Sequence, residues 1–286
     1  MNLQITGMKV CMTLLCFTSV GLSTSAQYYY NDILSTEANR KNFTTLQKEK
    51  IKKVSVKAYD TQGEIIDDFL LYQEVDGSKR TLTTYSKINI SDASILETKY
   101  TVKGLPEFAR DSAEGGSTRT SYQYNEKDQL VSMNSLSVES EQKENVVTEE
   151  RKYVYNDSGI PESLVRIKGG TDTMHVTFIS AENGLPGEEQ WFKGNKKIET
   201  WYYYYDAQHR LTDIVRYNAV AKQLLPDYLF SYDDGGNIIN KVTVLPGTGE
   251  FRIWQYRYDE RGLKTQETVM NRQRKQEGKL VYEYQK

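Results

Sequence analysis

The sequence predicts an all-β protein of serial antiparallel β-hairpin repeats, about 26 residues each, forming a curved meander sheet or strip with a short N-terminal helix ahead of it. Three observations predict this. An aromatic anchor recurs at Tyr124, Tyr155, Phe178, Tyr205, Tyr232, Tyr258 and Tyr284, and the last five are spaced 27, 27, 26 and 26 residues apart. Asp or Asn follows every anchor except Phe178 and Tyr284, and an aliphatic residue five or six positions on restarts the chain: Leu130, Ile160, Leu211, Ile238 and Leu263. Counting back by twos gives aromatic rows such as Trp201, Tyr203, Tyr205 and Trp254, Tyr256, Tyr258, with mostly polar residues between them. A period of two is the mark of a strand with one buried face.

The chain opens with a leader. Lys9 precedes the apolar run Val10 to Val20, and small residues from Leu22 to Ala26 follow, which predicts a secretory signal peptide over residues 1–26 cleaved between Ala26 and Gln27. The run is about half the roughly 20 residues of a spanning helix, so no transmembrane anchor is expected after cleavage. Met8-Lys9 looks like the natural start. Both cysteines, Cys11 and Cys16, fall inside the leader, so the mature chain is expected to hold no disulfide; Leu15 ahead of Cys16 fits a lipidation site poorly. An exported, cysteine-free chain fits a bacterial envelope.

Residues 27–52 are expected to form an N-terminal extension or cap, with Asn42 as a helix N-cap and Phe43 to Ile51 as a short helix. Residues 53–286 form the repeat domain. Tyr59 to Gly63 fits the repeat's turn, while Tyr100 to Gly104 fits in spacing only. Ser112 to Arg119, rich in Ser and Gly, reads as a hinge or loop, and Leu225-Pro226-Asp227 and Leu245 to Gly249 read as loose connections.

Each turn has its own chemistry. The Asp side chain accepts from amides two or more residues on, and glycine at positions such as Gly63, Gly159, Gly236 and Gly262 takes positive φ; Asp128 and His209 occupy that place in two copies. One aromatic buries about 150 to 250 Å², worth about 4 to 6 kcal/mol gross, but a single hairpin cannot cover its own apolar face, so neighbours must do it.

The pattern Tyr-Asp-x-x-Gly-x-Ile/Leu at this period resembles the YD or RHS repeat, carried by Tyr59-Asp60 with Gly63, Tyr205-Asp206 with Leu211, Tyr232-Asp233 with Gly236, and Tyr258-Asp259 with Gly262. The resemblance implies hairpins wound in a strip, as in bacterial toxin-enclosing shells, wall-associated proteins and teneurins. Those arrays are longer, and a toxin role is not expected here. Short exported Bacteroidetes proteins of unknown function are similar.

Composition narrows the chemistry. The 37 Lys and Arg nearly cancel the 39 Asp and Glu, which gives no electrostatic ground for a nucleic-acid partner; Lys48, Lys50, Lys52 and Lys53 read as a solvated run. The two histidines, His175 and His209, form no metal-ligand motif, no phosphate loop or nucleophile elbow is present, and neither metal nor cofactor is expected. The carboxylate pairs Asp67-Asp68, Glu188-Glu189 and Asp233-Asp234 read as turns or solvated edges rather than as the acid and base of a glycosidase. Twenty-two tyrosines stand out. Tyr202 and Tyr204 are out of phase with the core row, so with His209 they are the candidate binding residues, for a glycan or an envelope protein. A non-enzymatic exported binding module is expected, with a structural scaffold as the alternative and a polysaccharide- or peptide-processing enzyme third.

Overall fold

The computed structural model describes residues 28–88, 93–139, 145–245 and 249–286; the leader, with Ala26 and Gln27, lies outside the described residues. Helix α1 (Tyr30–Lys48) precedes β1 (Lys53–Tyr59), β2 (Phe69–Asp76), β3 (Thr81–Ile88), β4 (Ser94–Tyr100), β5 (Pro106–Ala113) and β6 (Gly116–Tyr124). Then come β7 (Leu130–Glu139), β8 (Val146–Tyr155), β9 (Pro161–Lys168), β10 (Asp172–Ser180), β11 (Pro186–Lys193) and β12 (Lys196–Tyr205). The last six are β13 (Leu211–Asn218), β14 (Gln223–Tyr232), β15 (Ile238–Val244), β16 (Phe251–Tyr258), β17 (Lys264–Met270) and β18 (Gln276–Gln285).

Each strand pairs antiparallel with the next, as the alternating pattern predicts. The open strip is corrected: β18 pairs with β1 from Lys53↔Gln285 to Tyr59↔Lys279, so the sheet closes into an 18-stranded barrel. Closure removes the two unpaired edges that a strip would expose. It also sets a packing problem, because natural barrels of 16 to 18 strands are wide enough to hold an aqueous channel.

Large side chains and α1 fill that width. The inner wall presents Tyr153, Leu164, Val176, Phe178, Trp191, Trp201, Tyr203 and Ile214, all buried, and Tyr28, Tyr29 and Tyr30 pack among them. A second cluster joins Phe43 and Leu46 of α1 to Val54, Val75, Leu82 and Tyr100, with the Phe43 and Tyr100 rings stacked at 3.8 Å. The helix begins at Tyr30, twelve residues before the expected cap Asn42. Asn42 is an exposed interior position.

Neighbouring strands alternate in direction, so the turns alternate between two rims. Tyr100, Tyr124, Tyr155, Tyr205, Tyr232 and Tyr258 all end even-numbered strands and share one rim. The helix lies against that rim: Lys41 Nζ donates to Asn237 Oδ1 at 2.9 Å, and a Cβ on Gly104 would lie 2.5 Å from Thr44 Cγ2. Tyr100, expected to match in spacing only, is therefore in phase. Tyr59 is not: it ends an odd strand, at the opposite rim, and Ala58 rather than Tyr59 faces inward. Its Asp60 turn has the same local chemistry, which depends on neither rim nor face.

Strand phase also moves one anchor. The β10 turn starts at Ala181, so Ser180 holds the anchor position, and Phe178 aligns instead with Tyr203, two residues inside its strand. Ser112 to Arg119 is no hinge; it forms the tip of the β5–β6 hairpin, which is paired from Phe108↔Ser121 to Ala113↔Gly116. Leu225-Pro226-Asp227 lies within β14, where a register shift opposite Val215 accommodates the proline.

The anchors are tyrosine for a reason that periodicity alone does not show. The hydroxyls of Tyr155, Tyr205, Tyr232, Tyr258 and Tyr284 donate to the carbonyls of Leu130, Pro186, Leu211, Ile238 and Lys264, at 2.6 to 3.1 Å. Each acceptor opens the preceding odd strand, so each bond ties one turn-closed hairpin to the next. Phenylalanine would fill the same space and lose the tie. Tyr232→Phe is expected to lower stability by about 1 kcal/mol, the net worth of a neutral hydrogen bond, without changing the far-ultraviolet circular dichroism spectrum; urea denaturation measures it.

Candidate functional site

Two walls have to be considered, and the inner one is the more heavily bonded. Glu188 and Glu189, expected to be a solvated pair, split to opposite faces. Glu188 faces outward and accepts from Gln190 Nε2 at 2.8 Å, while Glu189 is fully buried in the lumen. Its Oε1 accepts from the Tyr29 amide at 2.7 Å and Trp191 Nε1 at 2.6 Å. Its Oε2 accepts from the Tyr30 amide at 2.8 Å and the Tyr203 hydroxyl at 2.6 Å. Four donors converge on one carboxylate at the start of α1, whose first residues carry no local side-chain cap. Helix starts leave amides unbonded and attract negative charge, so Glu189 caps α1 from 160 residues away. Burial pushes its carboxyl above the usual range, and the four donors oppose that push. The missed signal was phase: Glu189 stands two positions from inward Trp191.

Asp32, in the first turn of α1, makes the second lumen contact. Arg151 Nη1 bonds both its oxygens, at 2.8 and 2.7 Å, and the Tyr153 hydroxyl donates to Oδ2 at 2.5 Å. The ion-pair chain continues along the wall through Glu149, Arg166, Asp172 and Lys193. Burial raises the Glu149 carboxyl, but the adjacent Arg151 and Arg166 guanidiniums bring it below its ordinary value. Arg216 pairs with Asp227 and Glu199, and Arg252 with Glu277. Burial pushes the Tyr28, Tyr153 and Tyr203 hydroxyls well above their ordinary values. These lumen groups are occupied by one another, and Glu189, Arg151 and Tyr153 among them hold the start of α1. Among the described residues no group of three or more His, Cys, Asp or Glu could hold a metal ion.

The outer wall carries the predicted binding residues. In β12 Trp201 and Tyr203 face inward, so Tyr202 and Tyr204 face outward; Tyr202 is half-buried and pairs with Val215, and Tyr204 is 47% exposed opposite Asp213. Burial and the neighbouring Glu188 carboxylate raise the Tyr202 hydroxyl. The same face continues through Val215 to Tyr217, exposed, and across to Leu224. Sequence reasoning missed these two because neither lies in an aromatic run.

His209 is not brought to that face. It sits in the β12–β13 turn at φ 61°, where its amide donates to the Asp206 carbonyl at 3.0 Å. Asp206 Oδ1 accepts from the Gln208 and Arg210 amides at 2.9 Å each, and the register shifts between Tyr204 and Tyr205. This is a type I turn closed by a left-handed residue and a bulge. His209 therefore fills a backbone position that suits glycine. Asp67 and Asp68 are exposed, and Asp233 belongs to a turn of the same kind.

No family model and no curated protein matches the chain. Among solved structures it is similar to a porin-like protein from Bacteroides uniformis, at 9% identity over 82% of this chain and 98% of that one, with a TM-score of 0.40. A porin-like protein from Bacteroides vulgatus is similar at 12% identity, 82% and 98% coverage and a TM-score of 0.30. The Photorhabdus luminescens Tc holotoxin pore is similar at 10% identity over 84% of this chain but only 17% of that one, with a TM-score of 0.29.

Two outcomes follow from the two walls. Glu189→Gln places an amide among four donors and removes the charge at the helix start, and is expected to cost about 3 kcal/mol in urea denaturation, with α1 amides exchanging hydrogen faster than the strands. His209→Gly relieves a left-handed residue and is expected to raise stability by about 0.5 kcal/mol, by thermal denaturation, because the relief of about 1 to 2 kcal/mol exceeds the entropy cost of glycine.

Proposed function

We propose that this chain is an exported, non-enzymatic binding module whose outer wall engages a glycan or cell-envelope polymer. The observation that carries the reading is the outward patch of Tyr204, Tyr202, Tyr217 and Leu224 on β12 to β14, an aromatic and apolar surface that the filling of the lumen does not require. Sugar rings present apolar faces that stack on such side chains, and hydroxyls that suit the flanking Asp213 and Glu188.

The distribution of charge supports a wall that works in water. Lys57–Glu283, Lys99–Glu107 and Lys152–Glu150 ion pairs lie on the outside, while the aromatic residues line the inside. A lipid-facing barrel has the reverse arrangement, apolar outward and polar inward. Among the described residues no helix is long and apolar enough to cross a membrane. The leader pattern supports export. A second reading, a scaffold for a partner protein, is favoured by the apolar hairpin tip, where Val220 is 95% exposed.

The test uses the chain without residues 1–26 on glycan and cell-wall polymer arrays. Binding is expected to fall about tenfold in Tyr204→Ala and to persist in His209→Gly, since losing one stacked ring removes about 1 to 1.5 kcal/mol. No binding to any polymer, together with capture of one defined envelope protein, would replace this reading with the scaffold.

A further inference from the structure

The outer wall of a barrel is convex by default, yet across β5 to β9 it dips into an open depression with a volume of about 430 Å³. Two cross-strand rows form it. One runs Phe108, Ser121, Asn134, Glu150, and the other runs Arg119, Leu136, Thr148. Arg110 stands directly opposite Arg119 at the end of the second row. Ala109 and Thr120, each adjacent in sequence to one of them, are buried inward, so both arginines face outward.

That pair is the anomaly. Residues directly opposite in an antiparallel ladder have Cβ atoms about 5 Å apart, and like charges placed there repel. Arg151, Arg166, Arg216 and Arg252 on the inner wall each hold a carboxylate. Arg110 and Arg119 form no ion pair among the described residues. Two carboxylates line the depression, and both are held elsewhere: Glu149 by Arg151 and Arg166, and Glu150 by Lys152 at 2.8 Å. Glu97 of β4 stands opposite Arg110 on its other side, and among the described residues it makes no ion pair with it.

We propose that this depression is a subsite for an acidic glycan, a polysaccharide carrying carboxylates of the uronate type; the proposal rests on the glycan reading above and names its chemical class. The carboxylate seats between Arg110 and Arg119, whose planar guanidiniums match it with two parallel hydrogen bonds and whose mutual repulsion it relieves. Phe108 and Leu136 supply the apolar floor for a sugar face. Asn134, Ser121 and Thr148 supply donors and acceptors for hydroxyls. The carboxylate end of the ligand is thereby fixed toward β5 and β6, and the neutral end toward β8 and β9.

The experiment compares polygalacturonate, neutral dextran and polyglutamate as titrants of the chain without residues 1–26, by calorimetry at two salt concentrations. Polygalacturonate is expected to bind more tightly than dextran and polyglutamate, and to weaken with salt. Arg110→Ala/Arg119→Ala is expected to lose about tenfold or more in that affinity with an unchanged circular dichroism spectrum, Phe108→Ala to lose several-fold, and Asp67→Asn, at an exposed position away from both surfaces, to bind polygalacturonate as the parent does. Equal binding of polyglutamate overturns the proposal, because the patch would then be a general anion surface. Polygalacturonate binding that survives the double arginine variant and is lost in Tyr204→Ala overturns it too, while leaving the glycan reading intact. Absence of binding to every glycan removes both.

Discussion

A closed antiparallel barrel of 18 strands encloses more space than aliphatic side chains on its own wall can fill, and the rest of this structure follows from that constraint. The chain meets it with two kinds of mass. Rows of Tyr, Trp and Phe project from alternate strand positions, and α1 lies across the mouth at one rim with its N-terminal residues sunk among them. The high tyrosine content is therefore a consequence of barrel circumference. Tyrosine also solves the polar half of the problem, since its hydroxyl finds a carbonyl or carboxylate where a phenyl ring would leave one unpaired. The helix needs a partner for its free amides in a water-poor interior, and Glu189 supplies it. Cap and filler are thus coupled: undocking α1 would strand a buried carboxylate, and losing the carboxylate would strand the helix start.

The repeat has two separable parts with different ranges of action. The Asp or Asn turn is purely local, and it forms equally well at Asp60 on one rim and at Asp206 on the other. The tyrosine ahead of it acts between hairpins, reaching the first carbonyl of the neighbouring strand only when its strand ends at the helix-side rim and its ring points inward. Tyr59 has the turn without the tie, and Ser180 has neither the ring nor the hydroxyl reach. Tyr124 occupies the right place, yet its buried hydroxyl has no partner among the described residues. The links around the barrel are consequently unequal, with the tie missing between β9 and β10 and between β5 and β6.

This division explains what was legible beforehand. Strand identity, the inward rows and the turns depend on residues two to four apart, and they could be read directly. Closure depends on Val54 meeting Tyr284, for which no local signal exists. The helix start was hidden for a related reason: a search for a side-chain cap finds Asn42, while the carboxylate that caps Tyr30 is supplied by β11. Glu189 could have been found by phase with Trp191, but a neighbouring acid, Glu188, made the pair look like a charged edge. Tyr202 and Tyr204 were legible as outward because their strand alternates without interruption, whereas the depression across β5 to β9 arises from the shape of five strands together and from a like-charge pair that only strand register discloses.

The same geometry separates two kinds of wall position. Inner positions are constrained in every hairpin by the need to fill one lumen, so they repeat. Outer positions answer to solvent alone, and from hairpin to hairpin they do not repeat: Tyr202 and Tyr204 in β12 correspond to Leu229 and Ser231 in β14 and to Gln255 and Arg257 in β16. Features that distinguish one part of the barrel from another therefore lie on this variable wall. The clustering of exposed aromatic side chains on β12 to β14, and of two arginines without an ion pair among the described residues beside Phe108 on β5 and β6, is therefore unexplained by folding, since neither group fills the lumen or closes a turn. Residues that fold does not require, gathered on the one surface where variation is free, are where binding chemistry is to be sought.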